Sequence, residues 1–247
     1  MRYHIDTIPL WDAFRQGGEC PLCTLESHLE EKLAAYHLGG AAMEPNERIA
    51  TNHKGFCAHH FGMLLAKEQR LPLALVTHTH LAEKQSELFT LLDKLTANPG
   101  KKGLFGNAGS ENIEPIVDWI ETQTQSCIVC SHIHDIVTRY METIAHMWKT
   151  DEEFRTLLSG GQGFCLPHFK KLLPVVSGKL SGDTRTQCLK TLCEQQKAAL
   201  QRLDGELDWF THKFDHKNAN ASWGTSRDAL PRSLWKLKGL HFYQPKK

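Results

Sequence analysis

Cys20-Pro21-Leu22-Cys23, followed by Gly55-Phe56-Cys57-Ala58-His59-His60, and Cys127-Ile128-Val129-Cys130, followed by Gly163-Phe164-Cys165-Leu166-Pro167-His168, decide how this chain is to be read. Each cassette offers three thiols and an imidazole, the ligand set of a closed tetrahedral zinc site. Between the second and third cysteines lie 33 residues in the first cassette and 34 in the second, and equivalent cysteines are offset by 107 or 108 positions. A chance cluster of ligand residues would not recur at the same spacing behind the same Gly-Phe, so the pattern reads as an internal duplication. The predicted metal ligands are Cys20, Cys23, Cys57 and His60 for one ion, and Cys127, Cys130, Cys165 and His168 for a second.

The residue types suit that chemistry. A CxxC puts two sulfurs on one tight turn, and Pro21 is favoured at the first position of a following helix. In Gly-Phe-Cys-x-x-His the cysteine and histidine, three apart, share a helix face. Both halves of each site therefore fall at helix N-termini. There, N–H donors and the helix dipole offset the net negative charge of three thiolates on a dication. Such a site has no open coordination position, which marks a structural rather than a catalytic ion. Three cysteines and a histidine also suit iron or iron–sulfur ligation, although the spacing differs from the usual cluster motifs. His59 adjoins His60, but its counterpart is Pro167, so the repeat selects His60. Cys188 and Cys193, five apart on a helical stretch, point away from each other and read as buried small apolar residues. The flanking Glu19, Glu26, Asp118 and Asp135 read as surface charges.

Working outward, strand signals are scarce and helical periodicity is everywhere, which predicts an all-α helical bundle of two pseudo-symmetric repeats. Leu22, Leu25, Leu29, Leu33 and Tyr36 form one stripe. On a long helix from about 72 to 97, Leu73, Val76, Leu81, Leu88, Leu92 and Leu95 are predicted to face inward. The expected organisation is repeat 1 over 1–97 and a Gly- and Lys-rich linker over 98–112. Repeat 2 follows over 113–214, and an irregular C-terminal tail over 215–247 packs on the bundle. In that tail Trp223 reads as an anchor and Arg227 with Arg232 as a possible anion or peptide site.

Composition excludes more than it assigns. The 247 residues carry 29 basic and 28 acidic side chains, so no global field draws the protein to nucleic acid or to an anionic membrane. No stretch approaches the length of apolar residues needed to span a bilayer, and cytoplasmic localisation is expected. Six of eight cysteines lie in metal-type spacing, which favours metal over a disulfide framework.

Several further stretches carry a resemblance. The opening Tyr3 to Asp12, Glu19 to Cys23, Gly39-Gly40 to Pro45, Gly55 to Cys57, Thr77-His78-Thr79-His80, and Trp223 to Arg232 together resemble the bacterial family of unknown function DUF6062. The resemblance runs from end to end. It implies an intracellular bacterial protein and carries over no catalytic residue, though it draws attention to His78, His80 and the tail.

The leading expectation is a non-enzymatic protein with two structural zinc ions that binds a protein or small-molecule partner. A homo-oligomer is left open, and a nucleic-acid partner is not expected. The alternatives are a thiol-based redox sensor that releases zinc on oxidation, and an enzyme with a site near His78, His80 and the tail. Candidate ligand or partner residues are His78, His80, Trp223, Arg227 and Arg232.

Overall fold

The computed structural model describes residues 4–97 and 113–239; the segment read as a linker, 98–112, and the last residues of the tail lie outside that range. Among the described residues every regular element is helical, in agreement with the all-α expectation. The helices are α1 (His4–Gln16), α2 (Pro21–Leu38), α3 (Pro45–Lys54), α4 (Ala58–Ala66), α5 (Arg70–Ala97), α6 (Glu114–Gln125), α7 (Ile128–Thr150), α8 (Glu152–Ser159), α9 (Leu166–Lys179), α10 (Gly182–His212) and α11 (Ala229–Lys238). No helix among them is long and apolar enough to cross a membrane.

The chain forms two compact units, and the boundary falls inside α2 and α7. A terminal unit combines Met1–Leu29 with His134–Lys247, and a central unit comprises Glu30–Ile133. These units cut the chain differently from the sequence halves 1–97 and 113–214. Each takes its CxxC from one half and its Gly-Phe-Cys-x-x-His from the other.

In the terminal unit, α1 lays Trp11 and Phe14 edge-on against Phe154 of α8, at ring separations of 5.7 and 5.2 Å. Phe154, Leu158, Phe164, Leu172, Val176 and Leu192 are fully buried. Asp151 caps α8 by accepting the Phe154 N–H at 3.0 Å. The segment after 215, expected to be irregular, contains a short 3₁₀ turn and then α11. One face of α11 buries Ala229, Ser233 and Lys236 at helical spacing against α10 and α9. The apolar face was short enough, and Pro231 close enough to its start, to be missed in the sequence.

In the central unit, α3 packs on α5. Arg48 ties them by donating to Ala42 O, Leu75 O and Thr79 Oγ1 at 3.1, 3.2 and 2.9 Å. Leu73 and Val76 of α5 are buried, but Leu81 and Leu92 are 60 % and 39 % exposed, contrary to their expected inward stripe. Arg48 and Asn52 of α3 meet the first half of α5 at Leu75, Thr79 and His80. Beyond it α6 is the neighbour, held by the Trp119 indole N–H donating to Glu87 at 3.0 Å.

Candidate metal centre

The eight expected ligands gather into two clusters, but with exchanged partners. Cys20 and Cys23 meet Cys165 and His168 in the terminal unit, and Cys57 and His60 meet Cys127 and Cys130 in the central unit. The grouping of Cys20 and Cys23 with Cys57 and His60 is therefore corrected, and so is that of Cys127 and Cys130 with Cys165 and His168. The physical reason is that a tetrahedral site needs two helix starts side by side, whichever part of the chain supplies them. Here α2 starts beside α9, and α7 starts beside α4.

In each cluster the donor atoms lie within 4.8 Å of one another. In the terminal site, His168 Nδ1 is 3.5, 3.3 and 3.2 Å from the sulfurs of Cys20, Cys23 and Cys165, and the Cys23 and Cys165 sulfurs are 3.5 Å apart. In the central site, His60 Nδ1 is 3.2, 3.3 and 3.4 Å from Cys57, Cys127 and Cys130, and Cys57 and Cys130 stand 3.8 Å apart. A zinc tetrahedron with metal–sulfur bonds of about 2.3 Å and a metal–nitrogen bond of about 2.05 Å has edges of about 3.8 Å (S–S) and about 3.6 Å (S–N). The three N–S separations and the one S–S separation given for each site lie within a few tenths of an ångström of those edges. They leave room for one ion and not for a multinuclear cluster.

Local sequence explains the placement. Cys57 and Cys165 are the N-cap residues of α4 and α9, both with extended backbone. The glycine two residues ahead takes a left-handed conformation in each case, with φ of +63° at Gly55 and +77° at Gly163. At Gly55 a side chain is also excluded by space, because an added Cβ would lie 2.5 Å from the His80 ring. Phe56 and Phe164 are buried, and the Phe164 N–H donates to Gln196 Oε1 at 3.2 Å. Gly55 O accepts the N–H of Ile128 at 3.0 Å, which fastens the start of α7 to the turn before α4.

The ring nitrogen turned away from each cluster meets a carboxylate. His168 Nε2 is 3.3 Å from Glu26 Oε2, and His60 Nε2 is 3.5 Å from Glu30 Oε1. A carboxylate there favours a proton on Nε2, which leaves Nδ1 facing the site among the sulfurs and would make the ring a stronger donor to a metal. Glu26 was read as a surface charge and Glu30 was not singled out. The signal was their position three and seven residues after Cys23 on α2, and it had no counterpart on α7. Glu30 also lies 3.3 Å from Nε2 of His59, which is exposed beside the cluster.

The electrostatics favour a cation. Burial disfavours a charged His60, but hydrogen bonds to Cys127, Glu30 and Cys57 outweigh it and push the ring up to about 10. His168 moves in the same direction, with burial opposed by Cys165, Cys20 and Cys23. Cys127 is pulled well below the usual thiol range, chiefly by the hydrogen bond from the Cys130 thiol and against the effect of burial, while Cys130 is pushed up in turn. His60 and the backbone N–H groups of Cys130 and Cys57 add to the lowering of Cys127. Each imidazole is thus surrounded by groups that favour positive charge.

The remaining candidates are placed as follows. His78 is exposed, and His80 is half-buried with Nδ1 2.7 Å from Asn52 O, its ring backing the Gly55 turn in the central unit. Trp223 and the two arginines belong to the terminal unit. Trp223 stacks among Phe210 and Phe214, with the Lys213 ammonium 5.2 Å from its ring. Arg227 is exposed. Arg232 contacts Glu206 at 2.6 Å, Asp228 at 2.9 Å and Glu19 at 3.3 Å. Glu19, read as surface, is 2 % exposed and also takes Arg202 at 2.8 Å through both its oxygens. Lys236 is completely buried, and its ammonium donates to Glu19 O at 2.5 Å and Gln162 O at 2.6 Å. Those carbonyls immediately precede Cys20 and Gly163, so one amine joins both turns of the terminal site. Cys188 is buried as expected, whereas Cys193 is exposed.

Comparison with known proteins places the chain in a family without assigning it a role. The model of DUF6062, a family of unknown function, matches residues 1–244, and the chain belongs to that family. No curated protein matches, and no solved structure matches.

Proposed function

We propose that this DUF6062 protein is a zinc protein whose two ions are structural, each fastening a CxxC turn to a Gly-Phe-Cys-x-x-His turn, and that its role is to bind a partner rather than to catalyse a reaction. The observation that carries the reading is the donor geometry: three sulfurs and one imidazole nitrogen within 4.8 Å of one another, twice, with every N–S separation near a tetrahedral edge. Zinc is favoured over harder cations by the sulfur-rich set, and a full set of four protein donors leaves no position for a substrate. Among the groups once considered for catalysis, His80 and Arg232 are engaged in hydrogen bonds and ion pairs within their own units. A partner-binding role draws support from apolar side chains left in solvent on α5 and α6, among them Phe89, Leu92, Val117 and Ile120.

Metal analysis of paired variants tests the reading. The purified protein is expected to hold two zinc ions per chain, and Cys20→Ser/Cys165→Ser to hold one. Cys20→Ser/Cys57→Ser, which strikes both sites, is expected to hold none. One zinc retained in Cys20→Ser/Cys57→Ser and none in Cys20→Ser/Cys165→Ser would refute the exchanged pairing. A wild-type protein without zinc would refute the proposal as a whole.

A further inference from the structure

The two sites share a donor set and differ in what covers them. In the terminal site all four ligands are at most 3 % exposed. Part of that cover comes from α11. Lys236 bridges the two turns, and Gly239 lies against the cluster at ordinary contact distance: an added Cβ would stand 3.9 Å from the Cys165 sulfur and 4.0 Å from that of Cys23. Among the described residues the central unit has no element corresponding to α11. There His60 and Cys127 are buried, but Cys57 is only half-buried and Cys130 is exposed. The two open ligands are neighbours, their sulfurs 3.8 Å apart on different helices.

We propose that the central site is a peroxide-responsive thiol switch, with Cys130 as the sulfur attacked and Cys57 as its resolving partner, while the terminal site is inert. This rests on the zinc reading above. The Cys130 thiolate attacks one oxygen of a hydroperoxide; the O–O bond breaks, the sulfur becomes a sulfenic acid, and hydroxide (or alkoxide) leaves. The Cys57 thiolate then attacks the sulfenic sulfur, forming the S–S bond and expelling a second hydroxide. The two sulfurs give up two electrons in all, the peroxide accepts them, and two solvent protons convert the leaving groups to water or alcohol. Cys127 and His60 alone would hold a zinc ion too weakly to retain it, and a dithiol reductant with added zinc would restore the four-donor site. Exposure selects the position, since the oxidant must reach the sulfur. Cys193 is also exposed but belongs to neither cluster, and Cys188 is buried.

The test uses the zinc-loaded full chain carrying Cys193→Ser, which removes the unrelated exposed thiol. Hydrogen peroxide is added, zinc release is followed with a chromogenic chelator, and an unreduced digest is mapped by mass spectrometry. One ion per chain is expected to leave at least about tenfold faster than the other, together with a cross-link between the Cys57 and Cys130 peptides. Equal release rates, early oxidation of Cys20, Cys23 or Cys165, or release without that cross-link would overturn the switch while leaving the zinc reading intact. Absence of zinc before peroxide is added would overturn the zinc reading, and the switch with it.

Discussion

Replacing Lys236 by Met probes how α11 holds the terminal site. The ammonium is completely buried, and burial lowers its proton affinity, with the Glu19 carboxylate 3.2 Å away opposing that. Met keeps the aliphatic stem and deletes the charge together with two hydrogen bonds to Glu19 O and Gln162 O. Two buried carbonyls lose a charged donor, at about 1–3 kcal/mol each, and Glu19 loses one of its cations. Against this, the cost of burying the ammonium disappears and Glu19 keeps Arg202 and Arg232. The balance is a loss of about 2–4 kcal/mol, equivalent to roughly 8 °C in Tm for a chain of this size. Chemical and thermal unfolding of the zinc-loaded protein measure it, with Lys238→Met, a change on the exposed side of α11, as the control expected within about 0.5 kcal/mol. The same variant should make the terminal zinc easier to extract by a chelator. A loss under about 1 kcal/mol with unchanged zinc retention would show that α11 does not brace the site.

Three other outcomes follow from the geometry. Gly55→Ala forces a side chain into a left-handed backbone and into the His80 ring, and should cost about 2–4 kcal/mol in unfolding, whereas Gly62→Ala, at an open helical position, should be neutral or slightly stabilising. Glu26→Gln should weaken the terminal zinc about tenfold in competition with a chelator and leave the central zinc unchanged, since the carboxylate lies on His168. His37 is 2 % exposed, neither ring nitrogen has a hydrogen-bond partner, and burial followed by the neighbouring His132 lowers it to about 4. Its folded value lies below the unfolded 6.5, so the unfolded chain binds more protons between those limits. Stability contributed by the neutral ring is complete above about 6.5, falls as pH drops, and is gone below about 4. His37→Phe should flatten the acid limb of the stability–pH profile by about 2–3 kcal/mol relative to wild type, and parallel profiles would contradict the assignment.

Much of the metal chemistry was legible without coordinates. The residue types, the proline at the start of α2, the glycines at positive φ and the helix opening at each cysteine are local facts, fixed by backbone sterics and donor spacing within a few residues. Glu26, Glu30, Glu19 and Lys236 were not legible. A charged residue in a sequence reads as surface unless its partner is known, and their partners lie from 29 to 217 positions away. The inward stripe assigned to α5 failed for a related reason: periodicity marks an apolar face, and only neighbouring helices decide whether anything covers it.

The sequence by itself marked eight particular side chains as candidate metal donors and grouped them as four half-sites on helix starts. Which half-sites come together was decided by the tertiary structure alone. Segments of 33, 66 and 34 residues separate successive half-sites, each long enough for chain connectivity to allow either pairing, and the choice falls to the packing that sets α2 beside α9 and α7 beside α4. The same packing sealed one cluster under a helix and left a cysteine of the other in solvent, a difference that two nearly identical motifs could not contain.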